Sequence, residues 1–222
     1  MQTIKEKLDE MIEQGRKIIS KSIELGKETE KIKKSTELSD VGIKTRIEEK
    51  KNSFTDECLK IYKSINEITE NLLIYIPEKI NSFDINDKEL YNFINIINAV
   101  NGNVGERILN DLITKYNRQN VPLELLKNVF LNYKKEKEAI IIEKAKINLK
   151  MILQELRSVD TGFYFCTSAT NPTGCDGVIK KIYDIAQLLR IELNSNYVDD
   201  AHTAIFKGND DAMKNINVIT NC

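Results

Sequence analysis

The sequence has few residues that interrupt helices and little of the chemistry that marks common active sites. Its 222 residues include three prolines, nine glycines and one histidine. Because proline and glycine punctuate regular structure, their scarcity favours long helices over many short strands and turns. The single histidine, His202, leaves little material for a Ser–His–Asp or Cys–His site, and no recognised nucleophile motif accompanies it.

A basic excess and long apolar runs are also missing. Thirty-three basic and 34 acidic side chains give a formal charge of −1. Nucleic-acid binders usually carry a clear basic excess, so we expect no nucleic-acid partner. The longest apolar clusters, at 72–76 and 139–142, are far shorter than the roughly 18 residues of a membrane span. The N-terminus is charged from Lys5 onward, so we expect no signal peptide and a cytoplasmic location.

The first third of the chain carries helical periodicity. Residues 2–34 place apolar or small side chains at alternating spacings of three and four, which is typical of an amphipathic helix of the coiled-coil type. This stripe comprises Ile4, Leu8, Met11, Gly15, Ile18, Ser22, Leu25, Thr29 and Ile32. A second stripe follows at about 40–76, with Ile47, Phe54, Cys58, Ile61, Ile65, Ile68, Leu72 and Tyr75. We predict that residues 1–76 form a long antiparallel helical hairpin.

The corner of this hairpin lies in "ELSDVGIKTRIEEKKNSF", residues 37–54. Ser39 or Asp40 is predicted to cap the second helix by accepting a backbone N–H. A phosphate-binding loop would need a preceding strand and more glycines, so a corner between helices is the better interpretation.

Two small residues on the first stripe suggest a place of close packing. Gly15 and Ser22 are poor helix formers, and they are seven residues apart on one face. In the predicted hairpin Phe54 falls opposite this region. We therefore predict that the small residues provide space for Phe54.

The middle of the chain, residues 77–158, is predicted to be a helical layer. Pro77 is expected to end or kink the second helix, and Asp84 or Asn86 to cap the next. Helical periodicity from Pro122 to about Arg157 predicts one long third helix.

Residues 159–222 differ in character and are predicted to form a mixed C-terminal segment. "FYFCTSAT", residues 163–170, has β-propensity, and Pro172 suits the second position of a type I turn in "NPTG". A helix is predicted at about 178–193. The predicted fold is thus mainly α, with a small irregular or β-hairpin-containing C-terminal part, and the aromatic cluster at 163–165 is expected in the core.

The thiols and the histidine are the side chains best suited to chemistry, but their pattern is weak. Cys166, Cys175, Cys222 and His202 lack the close pair of cysteines that places two thiolates on one zinc ion. Cys166 and Cys175 flank the predicted turn, so a disulfide is geometrically feasible in an oxidising environment, although free thiols are expected. Cys58 lies on the apolar stripe and is expected in the core. We predict no catalytic, cofactor-binding or metal-binding residues and no cofactor; a thiol-dependent enzyme using Cys166 or Cys175 is the minor alternative.

Two stretches carry a resemblance to known proteins. "LSDVGIKTRIEEKKNSF" and "ILNDLITKYNRQNVPLELLKNVF", together with the hairpin, resemble small helical proteins encoded in the structural modules of tailed bacteriophages and prophages, over roughly residues 1–135. The resemblance implies a virion-assembly or capsid-associated component without an active site, in the host cytoplasm or the virion.

From these observations we expect a non-enzymatic structural or protein-interaction protein. Its partners would be other proteins or further copies of itself, bound through helix faces. The alternative is a helical effector or toxin-like protein that engages a membrane or host partner. In that case the clusters at 72–76, 139–142 and 163–165 would be surfaces hidden until triggered.

Overall fold

Most of the chain that the structure describes is helical. The computed structural model describes residues 2–168 and 172–194, and these residues form eight helices and no strand. The helices are α1 (Ile4–Lys33), α2 (Asp40–Ile80), α3 (Lys88–Ala99), α4 (Glu106–Tyr116), α5 (Asn120–Asn132), α6 (Glu136–Ala145), α7 (Leu149–Ser168) and α8 (Pro172–Leu188). The prediction of a mainly α fold is confirmed.

The strand predicted in "FYFCTSAT" is wrong, because residues 163–168 belong to α7. The buried residues of this helix recur at spacings of three and four: Ile152, Leu156, Val159, Phe163 and Cys166. Burial of that face overrides the local β-propensity. The helix expected at 178–193 instead begins at Pro172, the residue expected inside a turn. No β-hairpin occurs in residues 2–168 or 172–194.

The predicted hairpin of α1 and α2 is present and antiparallel. Lys21 pairs with Glu57, and further along Lys50 pairs with Glu28 at 2.9 Å, so rising numbers in one helix meet falling numbers in the other. The predicted stripe of α1 is buried except at its ends, and three further buried residues widen it: Ile12, Ile19 and Gly26.

The corner of the hairpin is a helix cap, as predicted. The Ser39 hydroxyl accepts a hydrogen bond from the backbone N–H of Gly42 at 3.2 Å, in the first turn of α2. At the other end, α2 passes through Pro77 and ends at Ile80. The N-cap of helix α3 is Asp87, whose carboxylate accepts hydrogen bonds from the N–H groups of Glu89 and Leu90. The predicted caps, Asp84 and Asn86, are therefore wrong.

Two compact units make up the described chain. The first contains residues 2–73, 151–187 and 191–194, and the second contains residues 74–150 and 188–190. We describe these units in place of the three segments predicted from the sequence. Helices α2, α7 and α8 each have residues in both units.

In the first unit, α1, α2, α7 and α8 pack through a few close contacts. A Cβ atom added to Gly15 of α1 would lie 2.8 Å from Phe163 Cε1 of α7 and 3.0 Å from Ile179 Cγ1 of α8. A Cβ atom added to Gly162 of α7 would lie 2.6 Å from Val178 Cγ2 of α8. Gly15 therefore provides space, as predicted, but for Phe163 and not for Phe54. Phe54 instead lines a groove between α1 and α2, together with Leu25 of α1.

The second unit has its own apolar core, formed by α3 to α6. Its buried residues are Leu90, Ile97, Leu109, Leu112, Tyr116, Leu123, Leu126, Phe130, Ala139 and Ile142. The single long helix predicted over 122–157 is wrong, since α5, α6 and α7 are separate.

Two local structures break that predicted helix. Lys134 adopts a left-handed backbone (φ 58°), and the N–H groups of Lys134 and Lys135 donate to the carbonyls of Leu131 and Phe130. This pattern is a Schellman motif, which ends a helix and is usually marked by glycine. After α6, the Asn120 side chain donates to the Ile147 carbonyl and accepts from the Ile147 N–H, both at 2.9 Å. These bonds hold the link to α7 extended.

Arg190 joins the C-terminal ends of two helices in the second unit. Its guanidinium donates to the carbonyl of Asn117, which caps α4, and to the carbonyl of Ala145, the last residue of α6, at 2.7 Å. Its own carbonyl accepts from Arg118 at 2.6 Å. A cation at helix C-termini is favourable because unpaired carbonyls and the helix dipole place negative partial charge there.

Replacing Gly15 should overpack the first unit. We expect Gly15→Leu to lower the free energy of unfolding by about 1–3 kcal/mol, because the new side chain meets Phe163 and Ile179. Lys17→Leu, on an exposed position of the same helix, should change it by no more than about 0.5 kcal/mol. Thermal melts of both variants test this. A stabilised Gly15→Leu protein would show that α1 does not pack closely at this point.

Replacing Arg190 should loosen the second unit. Arg190→Met leaves the carbonyls of Asn117 and Ala145 without their donor, and we expect a loss of about 1–3 kcal/mol. Hydrogen exchange followed by mass spectrometry should show faster exchange in α4 and α6. Arg107→Met, an exposed arginine at the start of α4, is the matched control. Equal protection in both variants would contradict a clamping role for Arg190.

Candidate functional site

The side chains that the sequence singled out for chemistry divide into two groups. His202 and Cys222 lie outside the described residues. Cys166 and Cys175 are described, and both are buried free thiols. Cys58 is buried close to them and interacts electrostatically with both.

The three thiols come from α2, α7 and α8 and occupy different environments. Cys166 and Cys175 are close enough for each to shift the pKa of the other. The Cys175 thiol donates to the carbonyl oxygen of Gly15, which lies 3.4 Å from Sγ. The neighbouring Cys175 lowers the pKa of Cys166, whereas Cys166 and burial raise the pKa of Cys175. Burial raises the pKa of Cys58 to about 11. The thiols therefore differ in how readily they ionise.

An aromatic surface lies on α7 immediately before this cluster. Phe163 is buried, but Tyr164 is 53% exposed and Phe165 is 64% exposed. The sequence interpretation of the "FYF" cluster as core is thus right for Phe163 and wrong for its two neighbours. Successive helical residues point about 100° apart, so three adjacent aromatic residues cannot all face one core. Only the tertiary structure decides which of them is inward.

The aromatic surface continues onto α2 through Tyr62. The rings of Tyr62 and Tyr164 meet edge to face with centroids 5.5 Å apart, and those of Tyr164 and Phe165 meet similarly at 6.0 Å. We call Tyr62, Tyr164 and Phe165 the aromatic surface. Large exposed aromatic groups in mutual contact are uncommon on a monomer and are typical of binding surfaces.

Polar side chains beneath this surface hold Tyr62 in place. Its hydroxyl donates to Asp160 Oδ2 at 3.2 Å, and the Asn66 amide donates to Asp160 Oδ1 at 3.1 Å. Burial, followed by the negative charge of Asp160, raises the pKa of Tyr62. No sequence signal could have revealed this group, because α2 and α7 are distant along the chain and acidic residues are frequent on every helix.

The first unit also has a groove between α1 and α2. It is lined by Lys21, Glu24, Leu25, Glu28, Lys50, Ser53, Phe54 and Glu57. Its charged side chains pair across the groove, Lys21 with Glu57 and Lys50 with Glu28. The lining carries two lysines and three glutamates, and because both lysines are paired with glutamates, only a weak field remains to select a charged ligand.

Within residues 2–168 and 172–194, no cluster of three or more His, Cys, Asp or Glu side chains has an arrangement that could hold a metal ion. Over the same residues, none of the helices has the length and apolar character needed to cross a membrane.

No family model, no curated protein and no solved structure matches this chain.

The Asp160 contact can be tested by titration. The pKa of Tyr62 is raised above its ordinary value of 10, so the folded protein favours the neutral phenol. The resulting contribution to stability is fully present below pH 10. It is lost as the pH rises through the pKa that Tyr62 has in the folded protein. Asp160→Asn removes the negative charge, so the pKa of Tyr62 should fall toward the ordinary value, with the effect of burial remaining. NMR titration of labelled tyrosine rings measures the pKa of Tyr62, and the resonance that disappears in Tyr62→Phe identifies the Tyr62 ring.

The matched control for that titration is Asp56→Asn, on an exposed position of α2. It should leave the Tyr62 titration unchanged. A Tyr62 pKa that is the same in the Asp160→Asn variant and in the unmodified protein would contradict the described contact.

Proposed function

We propose that this protein is a non-enzymatic protein-interaction component, and that the aromatic surface of α7 and α2 is where it contacts another protein chain. The single observation that carries the proposal is the exposure of Tyr164 and Phe165 at 53% and 64%. Burial of two such rings against a partner stabilises a complex by the hydrophobic effect.

The ordering of this surface supports the same function. Tyr62 is fixed by its hydrogen bond to Asp160, and its ring in turn contacts Tyr164. Rings that are held before binding lose less conformational entropy when they are covered. Tyrosine is also among the residues that contribute most to binding energy at protein interfaces, because its apolar ring and hydroxyl serve one contact.

The partner we propose is a protein, either a second copy of this chain or a different one. The chain has almost no net charge, with 33 basic and 34 acidic side chains, so it offers little general attraction to a polyanion. The setting we propose is the one that the resemblance implies, the assembly of a phage virion or a capsid-associated structure.

One observation favours the alternative, an effector that engages a membrane or host partner. Ile74 and Ile140 are 64% and 55% exposed, so apolar side chains of the clusters at 72–76 and 139–142 already face outward in this structure. Exposed apolar side chains of this kind could enter a lipid surface or a partner groove, without the triggering step that the sequence interpretation assumed.

Site-specific photo-crosslinking in the native source distinguishes these functions. A photoreactive phenylalanine analogue replaces Phe165, and in a control protein it replaces Val41, which is 73% exposed near the start of α2. We expect a protein–protein adduct from position 165 and none from position 41. The mass of the adduct shows whether the partner is a second copy.

Two outcomes would contradict the proposal. Equal crosslinking from both positions would indicate nonspecific contact, and a lipid adduct from position 165 would favour the membrane-engaging alternative. A Tyr164→Ser, Phe165→Ser double variant should lose the association while keeping its helical circular dichroism, since both side chains are exposed.

A further inference from the structure

Two thiols meet where α7 ends and α8 begins. Cys166 lies in the last turn of α7, and Cys175 lies in the first turn of α8. The two helices run antiparallel, since Gly162 is beside Val178 and Ser158 accepts a hydrogen bond from Lys181 at 2.6 Å. Cys166 and Cys175 occupy the next opposed positions in this antiparallel register, and they are close enough for each to shift the pKa of the other.

This contact sets the pair apart from ordinary buried cysteines, which usually fill core space singly. A disulfide requires a sulfur–sulfur bond of about 2.05 Å and Cα atoms a few ångströms apart. Opposed positions on adjacent antiparallel helices bring the two side chains toward one another, as a disulfide requires. Cys58 is also near, but it lies on α2 and is fully buried.

We propose that Cys166 and Cys175 are a redox modification site, at which a small-molecule disulfide such as oxidised glutathione produces a reversible intramolecular disulfide. This inference goes beyond the proposed function and is independent of it.

The exposure of the thiols sets the order of the steps. Cys166 is 5% exposed, Cys175 is 1% exposed and Cys58 is 0% exposed. Cys166 also lies in a terminal helical turn, where local opening requires least free energy. Its lowered pKa increases the thiolate fraction, and the thiolate is the attacking species. Cys166 is therefore the entry point and Cys175 the resolving thiol.

The reaction balances with glutathione disulfide as oxidant. The Cys166 thiolate attacks one sulfur of the glutathione disulfide, whose S–S bond breaks, and one glutathione thiolate leaves. The Cys175 sulfur then attacks Cys166 Sγ, forming the protein disulfide and releasing the second glutathione. Two protein thiols are oxidised, one glutathione disulfide is reduced to two thiols, and the two thiol protons pass to the released glutathiones.

The product would join the end of α7 to the start of α8 by a covalent bond. Residues Tyr164 and Phe165 immediately precede Cys166 in the same helical turn. The bond would limit fraying of the turn that carries them.

The test uses the full chain in buffers of increasing oxidised-to-reduced glutathione ratio. The protein is then denatured so that its buried cysteines are accessible, free thiols are blocked with an alkylating reagent, and the digested protein is analysed by mass spectrometry. We expect two of the four cysteines to become unreactive together, with a peptide that links Cys166 to Cys175. Thiols that stay alkylatable throughout, or a link that involves Cys58 or Cys222, would overturn the inference.

Two variants make the assignment specific. Cys175→Ser removes the resolving thiol, so the reaction should stop at a mixed disulfide between Cys166 and glutathione. Cys58→Ala, an equally buried control, should leave the Cys166–Cys175 link unchanged. Absence of any adduct at Cys166 in a folded Cys175→Ser protein would overturn the order of attack. If the serine variant does not fold, the peptide map of Cys58→Ala decides.

Discussion

The first unit depends on how closely its helices can approach one another at Gly15. Phe163 of α7 and Ile179 of α8 both fill the space that a side chain at this position would occupy. Protein interiors are packed as densely as crystals, so a ring and a branched chain can share this space only if the third helix contributes no side chain. Gly15 costs helix propensity of about 1 kcal/mol relative to alanine, and the burial of Phe163 offsets it. Gly162 has the same effect between α7 and α8, because Val178 fills the space that a side chain at position 162 would occupy.

The second unit depends more on the ends of its helices. Short helices have a large share of unpaired backbone groups, which need partners when they are not in water. Three polar side chains supply them: Asp87 at the start of α3, Asn120 at the link after α6, and Arg190 at the ends of α4 and α6. Asp87 also accepts from the Tyr116 hydroxyl at 2.9 Å, and burial together with this bond raises the pKa of Tyr116.

The aromatic surface and the thiol pair are consequences of the same helix, α7. Its inward face supplies Phe163 and Cys166 to the core, and the residues between them, Tyr164 and Phe165, are left outside. Asp160, one turn earlier, fixes Tyr62 against the exposed rings. A single helix thus carries the close packing, the proposed contact with a partner and the proposed site of oxidation. Which residues of α7 take each role depends on which of its faces the neighbouring helices cover.

Sequence periodicity correctly predicted a mainly α fold and the antiparallel pairing of two helices within residues 1–76, and the small residue at position 15 correctly predicted close packing against a large side chain. These features depend on periodicity and on small residues at regular positions, which are local and repeated along the chain. Local β-propensity gave a wrong prediction for residues 163–168, which belong to α7. Burial of one face of this helix outweighs the weak β-preference of each residue. The breaks at Lys134 and Ile147 were missed because neither has a glycine or proline to mark it. The identity of the ring beside Gly15, the contact of Cys166 with Cys175 and the pairing of Tyr62 with Asp160 were decided only by the tertiary structure. Each joins different helices, and no spacing within one helix specifies which residues of another will face it.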